Sequence, residues 1–233
     1  MKSLKLYFES LLNDDDIFLD PMNDKKQVEE WIKHNYILYG KLTISDDFVV
    51  DCGGRVSVKN RNIESLTNGL FRWGKVNKSF SCSHCDITSL EGAPEEVVGG
   101  FYCNKCNNLT SLQGAPKNVG SDFWCDHCEG LETLEGAPEK VGGGFNCGDC
   151  ENLKSLNYSY GEIYGYFACN NCKNLKTLEG APKEVGGNFS CTECNSLESL
   201  EGAPKKVGGN FECRKCNNLK ITDSDRKKYK IVD

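Results

Sequence analysis

A repeated pair of cysteines is the feature that most constrains how this chain can fold. The first cysteines of seven CxxC pairs are spaced by 21 residues once and then by 22 residues. Around each pair the chain follows the pattern FxCxxCxxLxSLxGAPxxVGG, and we assign the shorter first spacing to a residue missing between Val98 and Phe101. A fixed period of this length predicts stacked repeats, because one such unit cannot bury its apolar residues alone. The pairs are Cys82/Cys85, Cys103/Cys106, Cys125/Cys128, Cys147/Cys150, Cys169/Cys172, Cys191/Cys194 and Cys213/Cys216.

Each repeat predicts one short strand followed by turns. In FxC, the Phe and the Cys share one face and the residue between them lies on the other, which is the periodicity of a strand. The later apolar positions, such as Leu197, Leu200 and Val207, are separated by Gly and Pro, which favour turns and exclude an interior helix. Stacked strands lie about 4.8 Å apart, so seven coils predict a rod on the order of 30 Å long.

This unit resembles the leucine-rich repeat, whose strand and turn read LxLxxN or LxLxxC. Phe takes the first Leu position, the first Cys of each pair takes the second, and the second Cys takes the Asn-or-Cys position. The resemblance covers about residues 55 to 221. The LxSLxGAPxxVGG segment is also similar to the short repeats of proteins from tailed phages and bacteria. The resemblance implies a mainly β, leucine-rich-repeat-like solenoid.

An additional upstream coil and two terminal segments complete the predicted architecture of about eight coils. We expect an α/β N-terminal cap over 1–54, with helices at 3–12 and 25–35, Asp24 as the second helix's N-cap and a hairpin at 41–52. The solenoid follows over 55–221. The tail, 222–233, carries a basic run that we expect to solvate the last coil. The upstream coil aligns Val56, Val58, Arg61, Ile63 and Leu66 with Phe80, Cys82, Cys85, Ile87 and Leu90.

Charge and composition exclude several classes of function. The net charge is -6 and no stripe of Lys and Arg is present, so neither nucleic acid nor an acidic membrane is an expected partner. No export signal and no apolar stretch long enough to span a membrane is apparent, which predicts a cytoplasmic protein, in the bacterial host cell if a phage encodes it. With three histidines and no catalytic fingerprint, we expect no enzyme activity.

The paired cysteines allow three interpretations, of which buried free thiols are favoured. Cys behaves as a small apolar residue in a core and occupies such positions in leucine-rich repeats. Zinc is the alternative cofactor, with the fourteen paired cysteines as candidate ligands, because CxxC is a common ligand spacing. One observation argues against zinc: the sulfurs of stacked coils would repeat about every 4.8 Å, which is a longer distance than that between two ligands of a tetrahedral zinc ion. Disulfides are disfavoured by the cytosol.

A candidate binding surface lies on the outward positions between Phe and Cys. Tyr102 and Trp124 are predicted to be neighbours there, with Lys105, Asp126 and His127 in the following turns. An aromatic centre with a polar rim is typical of protein-binding hot spots. The partner is therefore expected to be another protein.

A second candidate is the irregular stretch 155–167, where Tyr158, Tyr160, Tyr164 and Tyr166 predict a local tyrosine patch. We predict a non-enzymatic protein–protein interaction scaffold, and the phage resemblance implies an inhibitor or adaptor. The alternatives are a zinc-binding structural protein and a virion or assembly component. The expected partner-binding residues are Tyr102, Trp124, Lys105, Asp126, His127, Tyr164 and Tyr166.

Overall fold

The structure, a computed structural model, describes residues 25–59, 61–158 and 161–232. The chain forms a β-solenoid of about eight turns with a repeat of about 22 residues, as the spacing of the cysteines predicted. The helix expected over 3–12 and the N-cap Asp24 lie outside the described residues. Within the described ranges, neither helix has the length and apolar character needed to cross a membrane.

The first of two sheets carries the FxC segments. Its first strand pairs antiparallel with the strand of the upstream coil, and the following strands are parallel, with each Phe directly beside the Phe of the next coil. The predicted upstream coil is confirmed, because Val56 pairs with Phe80. The strands are β1 Tyr36–Tyr39, β4 Arg55–Val58, β6 Phe80–Ser81, β8 Phe101–Tyr102, β10 Phe123–Trp124, β12 Phe145–Asn146, β14 Phe167–Ala168, β16 Phe189–Ser190, β18 Phe211–Glu212 and β19 Ile231–Val232.

A second sheet of nine strands runs along the other side of the coils. Its valines lie at positions where the sequence analysis expected only turns. Each repeat places an exposed residue and then a buried apolar residue here, so the strand alternation extends over only two residues. The strands are β2 Leu42–Ile44, β3 Val49–Cys52, β5 Arg72–Val76, β7 Glu96–Val97, β9 Asn118–Val119, β11 Lys140–Val141, β13 Glu162–Ile163, β15 Glu184–Val185 and β17 Lys206–Val207.

The shorter first repeat has lost its residue in the turn after Cys85. The prediction that the gap lies between Val98 and Phe101 is wrong, because both sheets stay in register across that segment. Only one residue separates Cys85 from the apolar Ile87, whereas later repeats have two at this point. This turn lies outside the paired strands, so it can be one residue shorter without changing the register of either sheet.

A ladder of phenylalanine rings forms the centre of the core. Seven Phe side chains are fully buried, and successive ring centroids are 4.9 to 5.5 Å apart with nearly parallel planes. Stacked aromatic pairs contribute about 0.5–1.5 kcal/mol each beyond the burial of their surface. The ladder therefore couples each coil to its neighbours. Its members are Phe80, Phe101, Phe123, Phe145, Phe167, Phe189 and Phe211.

Separate caps close the two ends of this core. The predicted helix, α1 Lys25–Asn35, and the antiparallel hairpin of β2 and β3 are confirmed at the N-terminal end. At the C-terminal end, α2 Asp223–Lys228 begins with a capping box and leads into β19, which extends the first sheet. Between them, the buried Tyr229 packs on Phe211 at 4.8 Å between ring centroids. In the predicted basic tail, Lys227 and Lys228 are exposed.

Candidate binding surface

Three aromatic side chains gather on the outward face of the first sheet. The rings of Tyr102 and Trp124 meet edge to face with their centroids 5.2 Å apart, as their neighbouring positions predicted. Tyr166, two coils beyond Trp124, leans back toward them across Gly144. We call Tyr102, Trp124 and Tyr166 the aromatic cluster. Trp124 and Tyr166 each remain 38% exposed, so the cluster is accessible to a partner.

Two glycines make room for the aromatic cluster. A Cβ atom on Gly144 would lie 2.1 Å from Cε1 of Tyr166, and one on Gly100 would lie 2.3 Å from the hydroxyl oxygen of Tyr102. Real Cβ atoms are not found at these distances. The tyrosine rings can therefore lie directly over the backbone, because neither glycine has a side chain beneath the ring.

Two carboxylates border the aromatic cluster. Oδ1 of Asp122 accepts a hydrogen bond from the backbone N–H of Gly144 at 2.7 Å. Oδ2 of Asp126 lies 2.8 Å from Nδ1 of His127, while its Oδ1 is buried and has no hydrogen-bond partner among the described residues. Burial raises the pKa of Tyr166, a hydrogen bond from the Trp124 side chain lowers it, and the negative charges of Asp122 and Asp126 raise it. Asp122 was not among the predicted site residues.

Lys105 and His127 occupy the same turn in successive coils. Both adopt the left-handed backbone conformation, with φ of 59° and 56°. Their backbone N–H groups donate to Asp126 O and Gly148 O, each at 2.9 Å. The imidazole of His127 also lies 3.7 Å from Oδ2 of Asp149. The turn thus places the predicted polar rim beside the aromatic cluster.

Among the described residues, the tyrosines of the irregular coil do not gather into the predicted patch. Tyr158 is buried in the core beside Phe145, at 5.0 Å between ring centroids, and its hydroxyl donates to Pro138 O at 2.5 Å. Tyr164 lies on the side of the second sheet, 62% exposed. Since a corner separates the two sheets at this point, Tyr164 and Tyr166 belong to different surfaces. Tyr160 lies outside the described residues.

An open cleft of about 670 Å³ lies beside Tyr164. Ile163 and Val185 of the second sheet form its floor, with Lys183 and Lys206 among the residues that line it. The hydroxyl of Tyr164 lies 3.1 Å from Oε2 of Glu162. The cleft lies along the second sheet, whereas the aromatic cluster lies on the first, and Tyr164 therefore provides an exposed tyrosine for comparison with the cluster.

The second cysteine of each pair is a hydrogen-bond donor. In six of the seven pairs its thiol donates to the backbone carbonyl of the first cysteine of the preceding pair, with S···O distances between 3.0 and 3.4 Å, whereas Cys85 donates to Ser83 O at 3.7 Å. A thiol can donate only when it is protonated. The repeated second cysteine is thus explained by a coil-to-coil hydrogen bond. The donors are Cys106, Cys128, Cys150, Cys172, Cys194 and Cys216.

Burial favours the protonated form of most of these thiols, whereas hydrogen bonds from neighbouring cysteines lower the pKa of Cys194 to about 4 and also lower the pKa of Cys216. Burial raises the pKa of Cys106 to about 11 and the pKa values of Cys85 and Cys150 to about 12. Burial likewise raises the pKa of Cys103 and Cys125 well above the ordinary value of 9.0. All fifteen cysteines are free of disulfides. No group of three or more His, Cys, Asp or Glu side chains in the described ranges is arranged to hold a metal ion.

Comparison with known proteins does not identify this chain. No protein family, no curated protein and no solved structure matches it. The comparisons therefore give no support to the expected similarity to short repeats of phage and bacterial proteins.

Proposed function

We propose that this chain is a non-enzymatic protein-binding scaffold that presents the aromatic cluster to another protein. The observation that carries the proposal is the convergence of Tyr102, Trp124 and Tyr166, from three coils, on one outward face. Tyr and Trp are the residue types most enriched in binding hot spots, where a buried aromatic centre is surrounded by a polar rim. Asp122, Asp126 and His127 would supply that rim.

The fold itself does not require these aromatic side chains. At the position of Tyr102 and Trp124, the other coils carry Ser81, Asn146, Ala168, Ser190 and Glu212, and the backbone pairing there is the same. Where Tyr166 stands, two coils have glycine. An exposed indole contributes little to the stability of a single chain, because much of its apolar surface stays in water. Recognition is the role that such a side chain can perform.

A rigid scaffold suits this kind of binding. Each coil is joined to the next in both sheets, so the aromatic cluster is held in place before a partner arrives and little side-chain or backbone freedom is lost on binding. We propose a cytoplasmic location, because buried reduced thiols persist in a reducing compartment. An adaptor or inhibitor role, which needs binding without catalysis, fits this arrangement.

Affinity capture with matched variants tests the proposal. The protein and its Tyr102→Ala/Trp124→Ala and Tyr164→Ala variants are used to capture partners, and each captured protein is then purified and its Kd for the three chains is measured. We expect the double variant to lose at least about 100-fold in affinity, corresponding to about 2.7 kcal/mol, while Tyr164→Ala binds as the parent does. Equal Kd values for the parent and the double variant would refute the proposal.

Co-purification with particles distinguishes the alternative of a virion or assembly component. A scaffold that acts in solution is recovered in the soluble fraction with its partner. Recovery of most of the chain in sedimenting particles, unaffected by Tyr102→Ala/Trp124→Ala, would favour assembly over the proposed scaffold.

A further inference from the structure

We infer that the aromatic cluster and its bordering carboxylates bind an arginine side chain of the partner protein. This inference rests on the proposed protein-binding function and specifies the chemistry of the partner. Three features of the same surface support it: exposed aromatic rings, carboxylates beside them, and small residues in the coil between Trp124 and Tyr166.

The aromatic rings supply attraction for a cation. Aromatic faces carry negative potential, and Trp attracts a cation most strongly, followed by Tyr. Tyr102 meets Trp124 edge to face, so one ring does not cover the other as it would in a parallel stack. A guanidinium is planar and weakly hydrated, and it can stack on an exposed ring while keeping its N–H donors free, which an ammonium cannot do.

The bordering charges favour a cation. Asp122 accepts a hydrogen bond from the N–H of Gly144, over which the Tyr166 ring lies, Asp126 occupies the outward position next to Trp124, and Asp149 lies beside His127. Lys105 and His127 are the basic residues of this rim, and His127 lies between the carboxylates of Asp126 and Asp149. The buried Oδ1 of Asp126 has no hydrogen-bond partner among the described residues, although buried polar atoms are nearly always bonded. The Asp126 side chain is 15% exposed, so a donor from a partner would bind the carboxylate at its exposed edge.

The coil between Trp124 and Tyr166 forms a low floor. Its three outward positions are Gly144, Asn146 and Gly148. Tyr166 covers Gly144, the side chain of Asn146 accepts a hydrogen bond from the N–H of the buried Gly148, and Asn146 itself stays partly exposed. Neighbouring strands lie about 4.8 Å apart, so the two flanking coils are separated by about 10 Å, enough to admit one planar side chain. An arginine lying over Asn146 would reach both the indole of Trp124 and the carboxylate of Asp126.

The test follows the indole N–H signals of the protein by NMR while peptides are added. Trp31 and Trp73 are buried, so their signals are internal controls for Trp124. The probes are the peptide acetyl-Gly-Arg-Gly-Arg-Gly-amide and the same peptide with citrulline, which keeps the shape of arginine and removes its charge. We expect the arginine peptide to shift the Trp124 signal saturably, and the citrulline peptide to bind at least about tenfold more weakly.

Variants of the carboxylates complete the test. Asp126→Asn and Asp122→Asn keep the shape of the side chain, and each should weaken binding of the arginine peptide by about threefold or more. Tyr166→Gly, which restores the residue found in two other coils, should weaken it while leaving the fold intact. Serving as the control, Tyr164→Ala should bind the peptide as the parent does.

Three outcomes would overturn the inference: equal binding of the two peptides, unchanged affinity in both Asp variants, or no shift of Trp124 at about 5 mM arginine peptide. The proposed function is tested separately, by the binding of a captured partner. If the inference fails while Tyr102→Ala/Trp124→Ala still abolishes binding of a captured partner, the surface binds protein by other chemistry. If partner binding is also unaffected, both proposals fall.

Discussion

In the pair Cys125/Cys128 the two cysteines serve different purposes, and substitutions should separate them. The Cys128 thiol donates to Cys103 O at 3.2 Å, whereas the buried Cys125 thiol has no hydrogen bond among the described residues. We expect Cys128→Ser to be more stable than Cys128→Ala by about 1 kcal/mol, because the hydroxyl can still donate. At Cys125 we expect Ala to be more stable than Ser, because a buried hydroxyl would lack a partner.

Urea denaturation of the four variants measures these differences. The comparison within each position removes the effect of lost sulfur volume, since Ser and Ala are of similar size. If Ser and Ala rank in the same order at both positions, the distinction between donor and packing cysteine is wrong.

The buried thiols also predict loss of stability in alkali. An unfolded thiol titrates near pH 9, whereas burial raises the pKa of Cys106 to about 11 and that of Cys150 to about 12. Above pH 9 the unfolded chain releases protons that the folded chain retains, so the stability present at neutral pH falls progressively up to about pH 11. Each such thiol contributes about 1.4 kcal/mol per pH unit across that interval.

Melting temperatures between pH 7 and pH 10.5, with reductant present, follow this loss. Cys125→Ala removes one raised thiol and should make the decline less steep, while 0.5 M NaCl controls for surface ion pairs. A melting temperature independent of pH above 9 would contradict the burial of protonated thiols.

Chelation tests the remaining interpretation of the cysteines. Because zinc binds thiolates and the paired thiols act as hydrogen-bond donors, we expect protein purified without chelator to contain less than one zinc per chain. Addition of EDTA should leave the melting temperature unchanged. Two or more zinc ions per chain, lost together with the fold, would establish the metal-dependent alternative.

Individual side chains could be read from the sequence wherever the repeat aligned them. Alignment placed Trp124 next to Tyr102 and the cysteines in rows, and both arrangements are observed. Asp122 and the position of Tyr166 were missed because only the residue between Phe and Cys was followed. The column preceding Phe, which contains both of them, also faces outward and could have been aligned in the same way.

Among the elements, the C-terminal cap offers the clearest prediction. The hydroxyl of Tyr229 donates to Pro204 O at 2.6 Å and its ring packs on Phe211. We expect Tyr229→Phe to cost about 1 kcal/mol, the value of one hydrogen bond, and Tyr229→Ala to cost about 3 kcal/mol or more because it exposes the end of the core. Lys227→Ala, at an exposed site of the same helix, should have little effect.

Hydrogen exchange locates this loss. The N–H groups of Phe211 and Cys213 donate to Lys230 O and Val232 O, so their protection depends on the cap. In Tyr229→Ala these two amides should exchange faster while those of the central coils stay protected. Unchanged exchange at both amides would mean that the cap does not close the core.

The elements differed in how far the sequence predicted them. Helix α1 and the hairpin of β2 and β3 carry familiar patterns of caps and alternation, and both were correct. The second sheet was missed because each of its repeat strands is only two residues long, such as Asn118–Val119, and ends beside Gly–Gly or Gly–Ser. In such a case the strand is specified by pairing with neighbouring coils, which are distant in the chain.

For the molecule as a whole, stacking predicts that one complete coil can be removed. Deleting 167–188 joins Tyr166 to Phe189 and lets Phe145 stack on Phe189 with both sheets in register. We expect a folded chain whose urea m-value is smaller by about one-eighth. Deleting only 178–188 removes half a coil and should prevent folding, because the following residues would face the wrong side. Circular dichroism and urea titration distinguish these results, and a 178–188 deletion as stable as the full coil deletion would contradict the stacking.

The second sheet ends differently from the first at the C-terminal end. Strand β19 extends the first sheet past β18, but within the described ranges nothing pairs beyond β17, Lys206–Val207. An unpaired edge of this kind is a template on which another copy's strand can add. Lys205 and Lys206 are both exposed there, and their like charges oppose such an approach. The regular pairing that adds one coil to the next within a chain would also allow chains to add to one another as fibres. At the unpaired edge of β17, the positive charges of Lys205 and Lys206 oppose this association.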